Sequence, residues 1–137
     1  MPLVLDTGPI YSSIDRSDPD HRAVVELLRS TPRPHVVAEP VLVEVDYWIR
    51  KLLDTSALDA FVSDIVAGRY ELVSLDGDDL VRVVELESRY ADADLGFVDA
   101  SIVAICERLD IATLATFDHR DFGMIRPRHR RHLELVP

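Results

Sequence analysis

Short unbroken apolar runs alternate along the chain with longer stretches in which apolar residues recur every three or four positions. Leu3-Val4-Leu5 carries no polar alternation, the pattern of a strand buried on both faces in the middle of a parallel sheet. Val36-Val37-Ala38 predicts a second strand, the weakly alternating Tyr70 to Leu75 a third, Ile111 to Phe117 a fourth, and Leu133 to Val136 a short fifth. Between these runs the spacing is helical. A short helix is expected from Ile10 to Ile14, and another is opened by Asp18-Pro19-Asp20, carries Ala23, Val24, Leu27 and Leu28, and stops at Ser30 to Pro34. A third starts at Pro40, where proline is tolerated, and runs to about Leu53. Thr55-Ser56 begins a helix with Leu58, Phe61, Val62, Ile65 and Val66 inward and Gly68 as its stop. Acidic Asp76 to Asp79 suit the start of a helix that carries Leu80, Val83, Val84 and Leu86 to about Tyr90. The helix from near Phe97 is apolar nearly all round, as expected of one packed on a sheet. This alternation predicts an α/β fold, a single domain over residues 1–137 without repeats or linker.

Acidic residues interrupt the pattern at four places. Asp6 follows the last residue of the first strand and Gly8-Pro9 punctuates the turn after it, so Asp6 is expected at the carboxyl edge of a central strand, where open α/β sheets place their ligands. Asp118 ends the fourth strand in the same way. Glu44 falls within the apolar stripe Val41, Val45, Trp48, Ile49 and Leu52, three residues after Val41 and four before Trp48, and an unpaired carboxylate on such a face is costly. Asp99 occupies the first turn of the helix from Phe97. Singly, each has an ordinary structural use: a helix cap, a partner of the helix dipole, or an edge residue reaching water. Jointly, two strand ends and two helix positions facing them match a hard-cation site, because Mg²⁺ and Mn²⁺ prefer carboxylate oxygens and retain waters that can react. Phosphodiester hydrolysis needs what such a site provides, an activated water and positive charge against the developing negative charge.

Charge and composition narrow the reading further. The formal net charge of −10 argues against a protein that coats nucleic acid generally, since that affinity comes from Lys and Arg. A polyanion would have to be met locally, by a bound metal ion or by the run Arg126-Pro127-Arg128-His129-Arg130-Arg131-His132. In that run Arg126, Arg128, Arg130 and Arg131 suit bidentate contact with the phosphates of a polyanion, although the same run also reads as a solvated connection before the last strand. A hydrophobic content of 47% suffices for a sizeable core. No apolar stretch approaches the roughly 20 residues of a membrane span, and the N-terminus lacks the features of a signal peptide, so a cytoplasmic chain is expected. Cys106 is the only cysteine, which excludes an intrachain disulfide and a thiolate metal cluster and reads as core packing.

Asp6-Thr7 after a short N-terminal strand, Glu44 in the helix after the second strand, Gly96-Phe97-Val98-Asp99-Ala100 opening an apolar helix, and Thr116-Phe117-Asp118-His119-Arg120-Asp121-Phe122 after the next strand resemble the PIN-domain ribonucleases. The likeness is greatest to VapC-type toxins of bacterial toxin–antitoxin pairs and covers essentially the whole chain. It implies a three-layer α/β/α sandwich with a mainly parallel sheet in the order 3-2-1-4-5. It also implies Mg²⁺- or Mn²⁺-dependent endonucleolytic cleavage of RNA, a homodimer, and inhibition by a VapB-type antitoxin. Carried over by position, Asp6, Glu44, Asp99 and Asp118 would hold the metal, with Thr7 and Thr116 as hydroxyl neighbours behind them and Asp94 as a further acid beside the site. Apolar positions on the helices from Pro40 and Thr55, including Trp48 and Phe61, suggest surface left for a second copy.

Two other readings are weighed. A receiver-type signalling domain also clusters acids at strand ends and binds Mg²⁺. Asp76 could accept its phosphoryl group, but no lysine follows Lys51, the only lysine in the chain, and that reading fails there. A PIN-like fold that only binds, without catalysis, is disfavoured by the presence of all four acids.

Overall fold

The structure is a computed structural model that describes residues 2–137. Five parallel strands form one sheet in the order β3-β2-β1-β4-β5: β1 (Leu3–Leu5), β2 (His35–Ala38), β3 (Tyr70–Val73), β4 (Thr113–Ala115) and β5 (Glu134–Val136). β1 lies at the centre, in register with Val36 and Val37 on one side and with Thr113 to Ala115 on the other. Its three residues are buried on both faces, as the unbroken apolar run predicts. The edge strands β3 and β5 are only partly buried, which accounts for their polar residues Glu71 and Glu134.

Seven helices accompany the strands among the described residues: α1 (Thr7–Ile14), α2 (His21–Ser30), α3 (Val41–Leu52), α4 (Thr55–Val66), α5 (Gly77–Arg89), α6 (Phe97–Leu109) and α7 (His119–Met124). Right-handed crossovers from β1 to β2 to β3 put α1 to α4 on one face. The crossover from β3 back to β4 reverses direction and carries α5 and α6 to the other face, where they pack on each other. Strand order therefore reverses between β1 and β4, and the crevice outside their carboxyl ends is the topological switch point of the sheet.

α6 is the inner helix of its layer: Ala100 to Cys106 are all buried, as its uniformly apolar sequence requires. Cys106 is part of this core, and burial pushes its thiol up to about 12, so it stays protonated and inert. Gly68 follows the end of α4 with φ of 84°, the left-handed conformation that favours glycine at this stop.

Several helical expectations are corrected. α1 begins at Thr7, three residues before the predicted start, because Asp6 caps it. α7 is absent from the sequence reading, which carries the chain from Asp118 straight to the last strand; Asp118 caps it and Phe122 anchors it in the core. On α3 the buried stripe is Val41, Val45 and Ile49, while Trp48 and Leu52, expected inward, are 40% and 56% exposed. Phe61, offered as surface for a second copy, is instead 2% exposed and packs on Tyr70 with ring centroids 5.1 Å apart. Val62, Val66, Leu80 and Val84 also point outward, because α4 is covered on one side by α3 and β3 and α5 on one side by α6.

Candidate active site

Four helix N-termini converge at the switch point, and each brings one acid. Asp6 is the N-cap of α1 and accepts from the Thr7 backbone N–H at 2.8 Å. Asp118 is the N-cap of α7 and accepts from the Asp121 N–H at 3.0 Å. Glu44 and Asp99 lie in the first turns of α3 and α6. Carboxylates are favoured at these positions by the partial positive charge of the helix start, which offsets part of their mutual repulsion. The capping role and the cluster role are thus the same placement.

Two threonines brace the group. Thr7 Oγ1 donates to Glu44 Oε1 at 2.6 Å, tying α1 to α3, and Thr116 Oγ1 donates to Asp6 Oδ2 at 2.8 Å, tying β4 to β1. The second contact follows from register: Leu5 pairs with Ala115, Asp6 N–H bonds Ala115 O at 2.9 Å, and the residue after each strand meets its counterpart. Thr116 Oγ1 also accepts from the Asp118 N–H at 3.0 Å, so one buried hydroxyl links both strand-end acids.

Asp6, Glu44 and Asp99 line a cavity of about 340 Å³ with Thr7, Gly8, Tyr11 and Trp48. Burial, and then the charges of Asp6, Asp118, Glu44 and Asp121, push the Asp99 carboxyl up to about 7. Burial also raises Asp6, opposed by its hydrogen bonds from Thr116 and Thr7 and reinforced by Glu44 and Asp118. Among the described residues no ion pair reaches any of the four acids, although the chain carries 15 Lys and Arg. The donor set is therefore all oxygen and surplus in negative charge, with none of its members ion-paired among the described residues. That chemistry fits Mg²⁺ or Mn²⁺. Among the described residues no three carboxylate, imidazole or thiol groups are drawn into one coordination shell as the side chains stand, as expected of like charges that repel.

Asp94 is not with this group. It sits in the left-handed region, φ 54°, which aspartate tolerates, and shares a separate rim hollow with Asp92, Arg120 and Asp121. Partial burial and then the charge of Asp118 raise the Asp121 carboxyl, so this acid, left out of the sequence-based set, stands electrostatically nearer the site than Asp94.

The basic run is largely committed elsewhere. Arg128 bonds Glu85 at 2.6 Å and its backbone N–H meets Glu107, while Arg130 bonds Asp110 at 2.8 Å. Asp110 precedes β4, so Arg130 lies at the amino edge of the sheet, opposite the acids. Arg126 lies against His132, and Arg131 is exposed. None of the four guanidinium groups contacts the acid cluster. Trp48 and Tyr11, which line the cavity, were missed as site residues; the signal for Trp48 was its place four residues beyond Glu44, on the same helix face.

An open parallel sheet with acids gathered at its switch point defines an α/β protein with a carboxylate-rich site. The PIN domain matches residues 3–126, and the chain belongs to that family. The chain is 27% identical to Ribonuclease VapC26 of Mycobacterium tuberculosis over 135 residues, which cover 98% of this chain and 100% of that protein. Its fold is similar to the crystal structure of M. tuberculosis VapC20, a sarcin-ricin loop cleaving toxin, with a TM-score of 0.80 and 18% identity over 88% of this chain and 93% of that one. It is also similar to VapBC2 of Rickettsia felis bound to a promoter DNA fragment, with a TM-score of 0.70 and 22% identity over 99% and 98%.

Proposed function

We propose that the protein is a Mg²⁺- or Mn²⁺-dependent endoribonuclease that acts as the toxin of a toxin–antitoxin pair. The observation that carries the reading is the convergence of Asp6, Glu44, Asp99 and Asp118 on one crevice with no basic partner among the described residues. The similarity to a ribonuclease along nearly the full length of both chains gives the reaction class. Similarity to structures of a toxin and of toxin–antitoxin complexes supports the proposed role and a VapB-type partner.

Asp6, Glu44, Asp99 and Asp118 would hold the cation, which when bound supplies positive charge to the scissile phosphate and acidifies its water. The chain's own part is positioning. Thr7 holds the Glu44 carboxylate and Thr116 holds that of Asp6, each through a direct hydroxyl hydrogen bond. Free carboxylate oxygens on Asp99 and Asp118 can accept from the attacking water and orient it toward phosphorus.

Purified protein is expected to cleave single-stranded RNA with Mg²⁺ or Mn²⁺ and to stop in excess chelator. Asp6→Asn and Asp118→Asn should each lower the rate on the order of 10²-fold or more. Full activity in chelator, or normal cleavage by both variants, would sink the assignment.

A further inference from the structure

Trp48 is the only tryptophan in the chain, and it is not where an indole earns most by burial. The core stripe of α3 is complete without it, in Val41, Val45 and Ile49, each fully buried, while Trp48 remains 40% exposed. It stands four residues beyond Glu44, one helical turn along the same face, and lines the cavity that Asp6, Glu44 and Asp99 also line. Its neighbours on α3 hold it in place. Tyr47 meets it edge-on, with centroids 5.2 Å apart, and the Lys51 ammonium lies 5.3 Å from the indole centroid. A rigid aromatic surface, exposed in a cavity beside carboxylates and with the chain's only lysine adjacent, is what a stacked nucleotide requires: a π face for the base and a cation for its phosphate.

Building on the ribonuclease reading, we propose that Trp48 is a substrate-binding residue whose indole stacks on an unpaired nucleobase next to the phosphate held at the acid cluster, with Lys51 neutralising a flanking phosphate. Substrate must then present a base free of its helical stack, so single-stranded segments and loops are bound and paired stems are not. Paired RNA keeps its base faces inside the helical stack, where the indole cannot meet them. Stacking tolerates any base because each has a π face, so Trp48 sets the requirement for an unpaired nucleotide rather than for a particular sequence.

Two measurements on the full chain test this. In the first, cleavage of an unstructured 20-nucleotide RNA is followed against concentration for wild type, Trp48→Phe, Trp48→Leu and Trp48→Ala. Phe should stay within about threefold of wild type, whereas Leu and Ala should raise KM by roughly 5- to 150-fold, the span of one lost base–aromatic stack, with a smaller effect on kcat. In the second, the emission of this single indole is titrated with the same RNA and with a blunt duplex of equal length. Saturable quenching by the single strand and none by the duplex is expected.

A wild type that cleaves RNA without quenching, or a Leu variant as good as Trp, overturns the proposal. So does a Leu or Ala variant whose loss of activity is matched by a shift to a smaller species in sedimentation, which would give the indole to contact with a second copy. If wild type cleaves no RNA at all, the ribonuclease reading falls by itself, and the quenching arm still decides whether Trp48 stacks on single strands.

Discussion

Asp6 caps α1 and Asp118 caps α7, yet both carboxylates face the same crevice as Glu44 and Asp99, so local helix stability and site electrostatics share the same atoms. Asp99 bears the conflict most sharply. Its folded pKa of about 7 lies above the ordinary carboxylate value of about 3.9, so the folded state holds this proton more tightly than the unfolded chain does. Its favourable contribution is present below about pH 4 and is lost as pH rises through about 7. Replacing Asp99 by Asn removes the ionisation and keeps the shape. In chelator at pH 8 the Asn variant should be the more stable protein by ~1 kcal/mol, a value discounted for solvent screening at a half-buried site, and the gap should narrow at pH 5 and close only below about pH 4. Adding Mg²⁺ should reverse the order, because only wild type would gain fully from binding. Equal metal-induced shifts in melting temperature would leave Asp99 with a cap role alone. Thr7→Val keeps the packing and removes the hydroxyl that holds Glu44. It should cost roughly 10-fold in cleavage rate and only ~1 kcal/mol in stability, measured by paired kinetics and thermal melts.

Among the elements, α5 and α6 depend on a different kind of contact. Arg82 on α5 donates Nε to Glu107 Oε1 at 2.8 Å and Nη2 to Oε2 at 2.9 Å, a bidentate pair whose side chains are 10% and 9% exposed. Burial works to raise the Glu107 carboxyl, but Arg82 and the Arg128 N–H outweigh it and bring it below the usual value. Glu107 therefore contributes stability above its unfolded pKa and loses it as pH falls through the lowered folded value. Glu107→Gln should destabilise by about 3 kcal/mol, because the mostly buried Arg82 loses its bidentate partner and keeps only the longer 3.4 Å contact with the more exposed Glu85. Urea unfolding at pH 7 would measure this, and the difference from wild type should shrink below pH 4. The exposed pairs Arg50–Asp46 and Arg69–Asp64 should each contribute under about 1 kcal/mol when cut.

At the scale of the whole molecule, the acids sit in one crevice because the order 3-2-1-4-5 makes β1 and β4 neighbours, although they are more than a hundred residues apart in the chain. No helix of the described residues is long and apolar enough to cross a membrane. The helices carry outward apolar residues that the sheet cannot cover, among them Val43, Val66, Val81 and Val84. Sedimentation at micromolar concentration is expected to give a homodimer on these faces, and a species of 15.4 kDa alone would refute it.

What the sequence determined by itself was whatever depends on short-range pattern. Unbroken apolar runs specify buried strands, three-to-four spacing specifies helices, and an acid after a strand or within a first turn is legible as such; the four acids and the strand order, the latter by resemblance to the PIN domain, were available there. What only the tertiary structure decided was which side chains meet. About half of the apolar residues on α3, α4 and α5 face out, because each helix is covered on one side only, α5 by α6 and α4 by α3 and β3, and no local pattern distinguishes the covered row from its neighbour. α7 forms because Asp118 caps it and the core receives Phe122, a long-range choice in a six-residue segment too short to show a period. Arg128 and Arg130 turn to Glu85, Glu107 and Asp110 rather than to the acid cluster, since the chain must descend to the amino edge before β5. The raised carboxyl of Asp99 is the plainest case. It comes from burial first and from four acids drawn from other parts of the chain next, and neither acts on Asp99 until the sheet is assembled.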